Sequence, residues 1–265
     1  MKVSIVIPVL NPTSRLITLT DELIKNKFDD IIVIDDGSDN DYKSIYKKLN
    51  KNIRIKYHKI NLGKGSAIKT GIKNVKTDAY ITVDADLQHS VSDIIKIRKE
   101  LKNNDVVIGQ RNFKLKSVPF KSKFGNKFSS IMYFLKTHKK CNDTQSGLRG
   151  INIKYKNEML NIKGSRYDYE MNQLFYFAKN NIDIKYIDME TIYEKGNPTS
   201  NFNAIRDSFL VHKEFFIIFI IIILILIIII WLFKSKKLYK QVNKCYNYVI
   251  NLWCGEVIYK CFKES

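Results

Sequence analysis

Short apolar runs alternate with amphipathic stretches along residues 1–110. The runs are rich in Val and Ile, which is typical of buried strands, and they occupy residues 3–10, 31–34, 53–57, 80–83 and 105–109. Apolar residues at helical spacing follow the first run, at Leu16, Leu19 and Leu23, and helices are also predicted after the third and fourth runs. This alternation predicts an α/β fold in which helices cover both faces of a mostly parallel sheet.

The pattern changes after residue 110. Residues 113–140 predict a helix with an apolar stripe beside a cationic one, which is typical of a helix that faces a membrane or lipid phosphates. The two stripes consist of Phe120, Phe124 and Phe128 beside Lys121, Lys123 and Lys127. Residues 143–150 are predicted to form a polar loop, a helix is expected to begin near Tyr167, and short strands are predicted at 182–186 and 189–193.

Acidic residues follow two of the predicted strands. Asp35 and Asp36 come after the second run, and Asp84 and Asp86 come after the fourth. Ligands bind outside the carboxyl ends of strands in such sheets, so these side chains are expected to share one site. Two carboxylates one residue apart repel each other, and a shared Mg²⁺ or Mn²⁺ would relieve the repulsion while binding a diphosphate. The pair can equally cap the turn or the helix that Ser90 begins, and taken alone it does not decide between these readings.

Two basic residues are candidates for phosphate contacts. Lys64 lies in a glycine-containing segment, residues 61–66, that opens a predicted helix, where free backbone N–H groups favour an anion. The segment lacks the first glycine of a Walker phosphate loop, which excludes an ATPase of that type and leaves a plain helix cap as the alternative. Arg111 follows the fifth run and can bind phosphate oxygens through paired hydrogen bonds, although a solvated loop arginine is the commoner case.

Composition narrows the class of partner. The formal net charge of +19 suits either nucleic acid or an anionic lipid surface. The lysines are scattered and no helix-turn-helix or zinc-finger pattern occurs, so no nucleic-acid partner is predicted. The four cysteines form no Cys-x-x-Cys pair and have no matched histidine spacing, which argues against a zinc site or a disulfide framework.

Residues 215–233 form an uncharged, Ile-rich segment that predicts one transmembrane helix. At 1.5 Å per residue its length is roughly 28 Å, about the thickness of a bilayer's hydrocarbon core. The predicted organisation is a catalytic domain at 1–203, an amphipathic juxtamembrane helix at 204–214, the transmembrane helix, and a basic, interfacial tail at 234–265.

The sequence gives conflicting indications of which side of the membrane holds the catalytic domain. The lysines of the tail favour a cytoplasmic tail, yet a domain that uses nucleotides is also expected in the cytoplasm, and one crossing cannot satisfy both. We predict a single-pass membrane protein whose catalytic domain is cytoplasmic. The alternatives are a re-entrant segment and a tail that returns to the membrane interface.

In their order and spacing, several short motifs resemble those of the GT-A glycosyltransferases of family 2, and within them the polyprenyl-phosphate glycosyltransferases such as dolichyl-phosphate mannose and glucose synthases. The motifs are Ile7-Pro-Val-Leu-Asn11, Asp35-Asp-Gly-Ser38, Asn61-Leu-Gly-Lys-Gly65, Asp84-Ala-Asp-Leu-Gln-His89, Gly109-Gln-Arg111, Asp143-Thr-Gln-Ser-Gly-Leu-Arg149, Tyr169-Glu-Met171 and Asn197-Pro-Thr-Ser-Asn-Phe202. The resemblance covers about residues 1–203 and implies the GT-A fold, which has a Rossmann-like, mostly parallel sheet.

The resemblance also implies roles for individual residues. By this likeness the nucleotide pocket includes Pro8, Asp35, Asp36 and Lys64. Asp84, Asp86 and Gln88 would hold Mg²⁺ or Mn²⁺. The phosphates of the donor and of the lipid acceptor would contact Arg111, Lys123 and Ser146. The chain departs from the family pattern at Leu10-Asn-Pro12, where Tyr-Asn-Glu is usual, and at Lys121 and Lys123, where many relatives carry arginines.

The predicted reaction transfers glucose or mannose from UDP-glucose or GDP-mannose to a polyprenyl phosphate at the membrane, with a single inversion that gives a β-linked product. A phosphate acceptor is ionised near neutral pH and needs no strong general base. The alternative enzyme acts on a sugar hydroxyl and needs a carboxylate base, for which Asp143, Asp168 and Glu170 are candidates. A non-catalytic membrane tether with the same fold is a second alternative, against which the retained Asp84, Asp86 and Arg111 argue.

Overall fold

The computed structural model describes residues 1–190 and three short helical pieces at 223–225, 227–229 and 243–246. The chain divides into two compact units, Met1–His212 and Lys213–Ser265. The sheet, its helices and the candidate site all lie within residues 1–190.

A seven-stranded mixed sheet forms the centre of the first unit. Its strands are β1 (Val3–Val9), β2 (Asp30–Asp35), β3 (Arg54–Tyr57), β4 (Ala79–Thr82), β5 (Val106–Gln110), β6 (Arg149–Asn152) and β7 (Lys185–Asp188). The spatial order is β3-β2-β1-β4-β6-β5-β7. Every neighbouring pair is parallel except those of β6, which runs antiparallel to β4 and β5. The prediction of a mostly parallel α/β sheet is confirmed.

Helices cover both faces of the sheet. They are α1 (Arg15–Lys25), α2 (Lys43–Tyr46), α3 (Lys64–Lys73), α4 (Val91–Glu100), α5 (Phe120–Thr137), α6 (Lys156–Asn161) and α7 (Asp168–Lys179). Side chains alternate along β1, so that Ile5 and Ile7 join a core with α1 and α4, whereas Val6 joins a second core with α3 and α7. Burial on both faces explains why the inner strands are apolar at nearly every position.

Strand β6 departs from the predicted elements. The sequence predicts a loop at 143–150, but Arg149 and Gly150 belong to a central strand. Glycine and asparagine are disfavoured in strands, so the local sequence gives no strand signal, and pairing with β4 and β5 on both sides decides the conformation. Only glycine fits at position 150, because a Cβ atom there would lie 2.5 Å from Cγ2 of Ile97 and 2.8 Å from Cδ1 of Leu101.

The last described strand also differs from the prediction. β7 begins at Lys185 and overlaps the strand predicted at 182–186 only in part. Residues 189–190 are not in a strand, and the rest of the strand predicted at 189–193 lies outside the described residues.

No helix among the described residues is long and apolar enough to cross a membrane. The segment predicted to span at 215–233 falls outside those residues apart from the helical pieces at 223–225 and 227–229, where most Ile and Leu side chains are exposed. The juxtamembrane helix predicted at 204–214 lies wholly outside them, as does the tail at 234–265 apart from 243–246. These three assignments stay predictions.

The guanidinium group of Arg149 is buried in the middle of the fold, with 1% of the residue exposed. It donates hydrogen bonds of 2.6–3.2 Å to the backbone carbonyls of Thr144, Ser146 and Glu170 and to Oε1 of Gln173. A buried cation is tolerated only where acceptors surround it, so these bonds fix the 143–148 loop and the start of α7 against β6.

Replacing Arg149 with methionine should lower the free energy of unfolding by about 3 kcal/mol or more, because several buried acceptors lose their donor at once. Urea unfolding of the purified chain measures the change. Arg98→Met is the matched control, since the Arg98 guanidinium lies over the Phe28 ring near the surface, and its loss should cost about 1 kcal/mol or less. Equal costs for the two variants would contradict a structural role for Arg149.

Candidate active site

The carboxyl ends of β1, β2 and β4 meet at one edge of the sheet. The backbone N–H of Asp36 donates to the carbonyl of Val9 at 2.7 Å, and that of Val83 donates to the carbonyl of Val6 at 3.0 Å. The acidic segments that follow β2 and β4 are thereby placed on either side of the end of β1. This is the arrangement expected from the sequence.

The carboxylate of Asp36 organises the loop that leads into α3. Asp36 is 4% exposed and accepts hydrogen bonds from the backbone N–H groups of Leu62 and Gly63 at 3.0 and 2.8 Å. Its Oδ1 atom also lies 2.7 Å from Nδ1 of His58, whose Nε2 atom lies 2.9 Å from the hydroxyl of Thr70. Asp36 therefore fixes the position of Lys64. The sequence pattern did not single out His58.

Asp35 shapes the neighbouring turn. It is 3% exposed, and its Oδ1 atom accepts a hydrogen bond of 2.8 Å from the backbone N–H of Ser38. Gly37, between the two aspartates and this serine, has a φ of 78°, and a Cβ atom there would clash with the backbone of Ile60 and Asn61. The Asp-Asp-Gly-Ser motif is thus a tight turn at the end of β2, closed by the hydrogen bond from Ser38 to Asp35.

The ammonium group of Lys64 lies between two carboxylates. Its Nζ atom is 2.7 Å from Oδ1 of Asp84 and 3.1 Å from Oε1 of Glu170. Lys64 is the first residue of α3, Asp84 follows β4, and Glu170 lies in the first turn of α7. One cation therefore connects three elements that are distant in the sequence.

These contacts shift the pKa values of the partners in opposite directions. Burial disfavours the charge on Lys64, but the carboxylates of Asp84 and Glu170 outweigh it and hold the lysine pKa above its ordinary value. Burial likewise opposes the charge on Asp84, but Lys64 and then His89 outweigh it and hold the aspartate pKa well below its usual range. Lys64 and Asp84 are consequently both charged at neutral pH.

Asp86 has a different environment from Asp84. Its Oδ1 atom accepts a hydrogen bond of 3.0 Å from the backbone N–H of Gln88, and the guanidinium of Arg15 lies 3.4 Å from its backbone carbonyl oxygen. Burial, and then the negative charge of Asp84, raise the pKa of Asp86 above its ordinary value. A cation placed beside the two aspartates would remove this repulsion.

The donor set fits a hard divalent cation that also binds phosphate oxygens. Asp84 and Asp86 carry carboxylates and Gln88 carries a side-chain amide oxygen, which are the ligand types that Mg²⁺ and Mn²⁺ prefer. No group of three or more His, Cys, Asp or Glu side chains in the described part of the chain is arranged to hold a metal ion by itself. Oxygen atoms of a bound ligand would therefore have to complete the coordination shell.

A second charged pair lies beside this edge. The guanidinium of Arg111 donates to both carboxylate oxygens of Asp143, through Nε at 2.8 Å and through Nη2 at 2.9 Å. The backbone N–H of Arg111 donates to the same carboxylate at 3.1 Å. Asp143 is fully buried, so it fixes the orientation of Arg111. The sequence predicted Arg111 as a site residue but did not reveal this partner.

The loop between Asp143 and Arg149 approaches the acidic pair. The hydroxyl of Thr82, at the end of β4, donates to the carbonyl of Gly147 at 2.8 Å. A Cβ atom on Gly147 would overlap the carboxylate of Asp84, which makes a glycine necessary there. The hydroxyls of Thr144 and Ser146 are buried and have no hydrogen-bond partner among the described residues.

Two further predicted site residues, Pro8 and Lys123, and the motif residue His89 differ in how they relate to the cluster of Lys64, Asp84 and Glu170. Pro8 is buried in β1 opposite Ile34. Lys123 lies in the first turn of α5, and the hydrogen bonds and ion pairs of the described residues do not connect its side chain with the Lys64 cluster. His89, which the sequence placed in a motif without a role, is 4% exposed and holds Nε2 at 3.5 Å from Oδ2 of Asp84.

A mostly parallel α/β sheet with an Asp-x-Asp pair at its carboxyl edge defines a class of nucleotide-sugar transferases, and comparison with known proteins specifies the family. The model of glycosyl transferase family 2 matches residues 4–160. The chain belongs to this family, in the polyprenyl-phosphate group of its GT-A glycosyltransferases.

Two relatives represent that group. UDP-N-acetylglucosamine–dolichyl-phosphate N-acetylglucosaminyltransferase from Methanococcus voltae is 34% identical over 217 residues, which cover 71% of this chain and 85% of the relative. A dolichyl-phosphate beta-glucosyltransferase from Trichomonas vaginalis is 28% identical over 167 residues, which cover 55% of this chain and 51% of the relative.

Solved structures agree on the fold. Glucosyl-3-phosphoglycerate synthase from Mycobacterium tuberculosis, in complex with Mn²⁺ and UDP-glucose, aligns with a TM-score of 0.61 and 14% identity, and the alignment covers 81% of this chain and 76% of that one. At this identity the likeness bears on the fold alone. It confirms a GT-A, Rossmann-like architecture.

Gly147→Ala should lower the rate of sugar transfer by about 100-fold, because the added methyl group must displace the Asp84 carboxylate. Initial rates with a labelled nucleotide sugar measure the effect. Gly125→Ala is the matched control, since no atom lies within 4 Å of a Cβ placed there, and it should retain the wild-type rate. A fully active Gly147→Ala variant would show that the position of Asp84 does not matter for transfer.

Proposed function

We propose that the protein transfers a hexose from a nucleotide sugar to a polyprenyl phosphate, with inversion at the anomeric carbon and with a divalent metal ion. The names of the two relatives above support a dolichyl-phosphate type of acceptor. The family resemblance suggests glucose or mannose, with UDP-glucose or GDP-mannose as the donor, and the motifs do not distinguish the two sugars.

The observation that carries the proposal is the pairing of Asp143 with Arg111. A sugar hydroxyl needs a carboxylate base, and Asp143 is one of three candidates for that role. It is buried and bound to the guanidinium through both oxygens, so neither oxygen is available to a sugar hydroxyl. Glu170 is 4% exposed and paired with Lys64. A phosphate acceptor, already ionised at neutral pH, fits a site in which these carboxylates are neutralised.

The chemistry then depends on position and charge. A divalent ion held by Asp84, Asp86 and Gln88 would supply charge stabilisation for the departing diphosphate. The residues of this chain would hold the nucleotide at the end of β2 and neutralise the phosphates through Lys64 and Arg111. The buried hydroxyl of Ser146 has no hydrogen-bond partner among the described residues and lies three positions after Asp143 in the same loop, which supports a phosphate subsite near Arg111.

Contact with a membrane is part of the proposal. Phe120 and Phe124 in α5 are 80% and 65% exposed, and their rings stack with centroids 6.3 Å apart. Exposed aromatic residues on a lysine-containing helix are typical of a membrane interface. We also propose that 1–203 is the catalytic domain, that 215–233 spans the membrane after a juxtamembrane helix, and that the catalytic domain is cytoplasmic.

The decisive experiment is a transfer assay with a panel of radiolabelled UDP- and GDP-sugars, Mg²⁺ or Mn²⁺, and added polyprenyl phosphates. One donor should give a charged, mild-acid-labile product that extracts into organic solvent, and its sugar should be β-linked because one displacement inverts the α-linked donor. An α-linked lipid would contradict single inversion. Nucleotide binding without any lipid product would favour the hydroxyl-acceptor enzyme.

Asp168→Asn tests Asp168, the third candidate base for a hydroxyl acceptor, directly. Asp168 accepts a hydrogen bond from the backbone N–H of Arg166, and asparagine keeps that acceptor while removing the charge. Transfer to a phosphate needs no base, so the variant should keep nearly the wild-type kcat. Loss of a general base would instead lower kcat by roughly 10²–10⁴-fold. Initial rates across a range of acceptor concentrations measure kcat and KM separately.

A further inference from the structure

Both carboxylate oxygens of Asp84 already face nitrogen atoms. Oδ1 lies 2.7 Å from the ammonium of Lys64, and Oδ2 lies 3.5 Å from Nε2 of His89. His89 is held in the interior, with 4% of the residue exposed. Lys64 is therefore the neighbour whose flexible side chain can leave when another cation reaches Asp84.

An ammonium group and a divalent ion compete for the same oxygen. The ammonium has three donors and no lone pair, so it cannot act as a ligand of the metal ion. Two cations that share one carboxylate also repel each other across a short distance. A metal ion that binds Oδ1 of Asp84 consequently requires Lys64 to give up its contact with that oxygen.

Glu170 offers Lys64 a second partner without a large movement. Its Oε1 atom is already 3.1 Å from Nζ. The helix ends that carry the two residues are docked tightly, because the N–H of Ser66 donates to the carbonyl of Ser165 at 3.0 Å and a Cβ on Gly65 would lie 2.6 Å from Cβ of Tyr169. The separation of the two helix starts that carry Lys64 and Glu170 is thus fixed by these contacts.

We propose that Lys64 occupies the cation position of Asp84 in the metal-free protein and transfers wholly to Glu170 when the metal ion binds, so that Glu170 is a positioning residue that sets the metal affinity. This inference rests on the metal dependence in the proposed function. Lys64 keeps its proton and charge throughout, and it moves from one carboxylate to the other. In the metal-bound state Lys64 would no longer contact Asp84 and would pair with Glu170 alone.

The test measures Mn²⁺ binding to the purified chain, with and without a saturating nucleoside diphosphate and against a protein-free blank, by the electron paramagnetic resonance signal of free Mn²⁺. Lys64→Met should raise the affinity about tenfold, since it removes the competing cation, and Glu170→Gln should lower it about tenfold, since Lys64 loses its second partner. In the Lys64→Met background Glu170→Gln should change little. Asp168→Asn is the matched control, because it removes a charge from the same turn of α7.

The proposal is overturned if Lys64→Met leaves the affinity unchanged or lowers it, if Glu170→Gln behaves like Asp168→Asn, or if the two substitutions act additively. Thermal melting shows whether each variant is folded. If Lys64→Met does not fold, Lys64→Gln is used in its place. Asp86→Asn distinguishes a failure of the lysine exchange from a failure of metal binding at the site. If Asp86→Asn abolishes Mn²⁺ binding and Lys64→Met changes nothing, the exchange alone is wrong. If the wild type binds no Mn²⁺ in any state, the proposed metal dependence fails.

Discussion

The arrangement of the site depends on one ammonium group held between carboxylates from two other elements. Asp84 and Glu170 would repel each other if Lys64 did not lie between them at 2.7 and 3.1 Å. Lys64 can take this position because Asp36 binds the two backbone N–H groups just before it. The end of β2, the start of α3, the end of β4 and the start of α7 are thereby fixed relative to one another by charge as well as by packing.

A similar balance of charge holds at the pair formed by Arg111 and Asp143. Asp143 neutralises Arg111 through two parallel hydrogen bonds, so neither charge is buried without a partner. Asp143, a candidate general base, instead binds and orients the guanidinium of Arg111. With both oxygens of Asp143 occupied by Arg111, the carboxylate is not available to a sugar hydroxyl, whereas a phosphate acceptor needs no base. This is the physical reason for proposing a phosphate rather than a hydroxyl.

Much of the fold was predictable because the strands are buried on both faces and read as apolar runs. β6 was not, since Arg149 and Gly150 follow no strand pattern and their conformation is imposed by neighbouring strands. The clustering of Asp36, Lys64, Asp84 and Asp86 followed from the rule that ligands bind at the carboxyl ends of parallel strands. The partners of these residues did not follow, because His58, Glu170 and His89 come from elements whose packing no local pattern encodes.

The loop between Asp143 and Arg149 links the two halves of the site. At its beginning Asp143 holds Arg111, near its end Gly147 packs against the Asp84 carboxylate, and Arg149 ties it to the interior. The hydroxyl of Thr82 fixes it to β4 as well. A shift of this backbone would therefore move Arg111 and Asp84 together. Because transfer requires the acceptor to lie in line with the donor's anomeric carbon, a short loop held at several points preserves that geometry better than independent flexible side chains would.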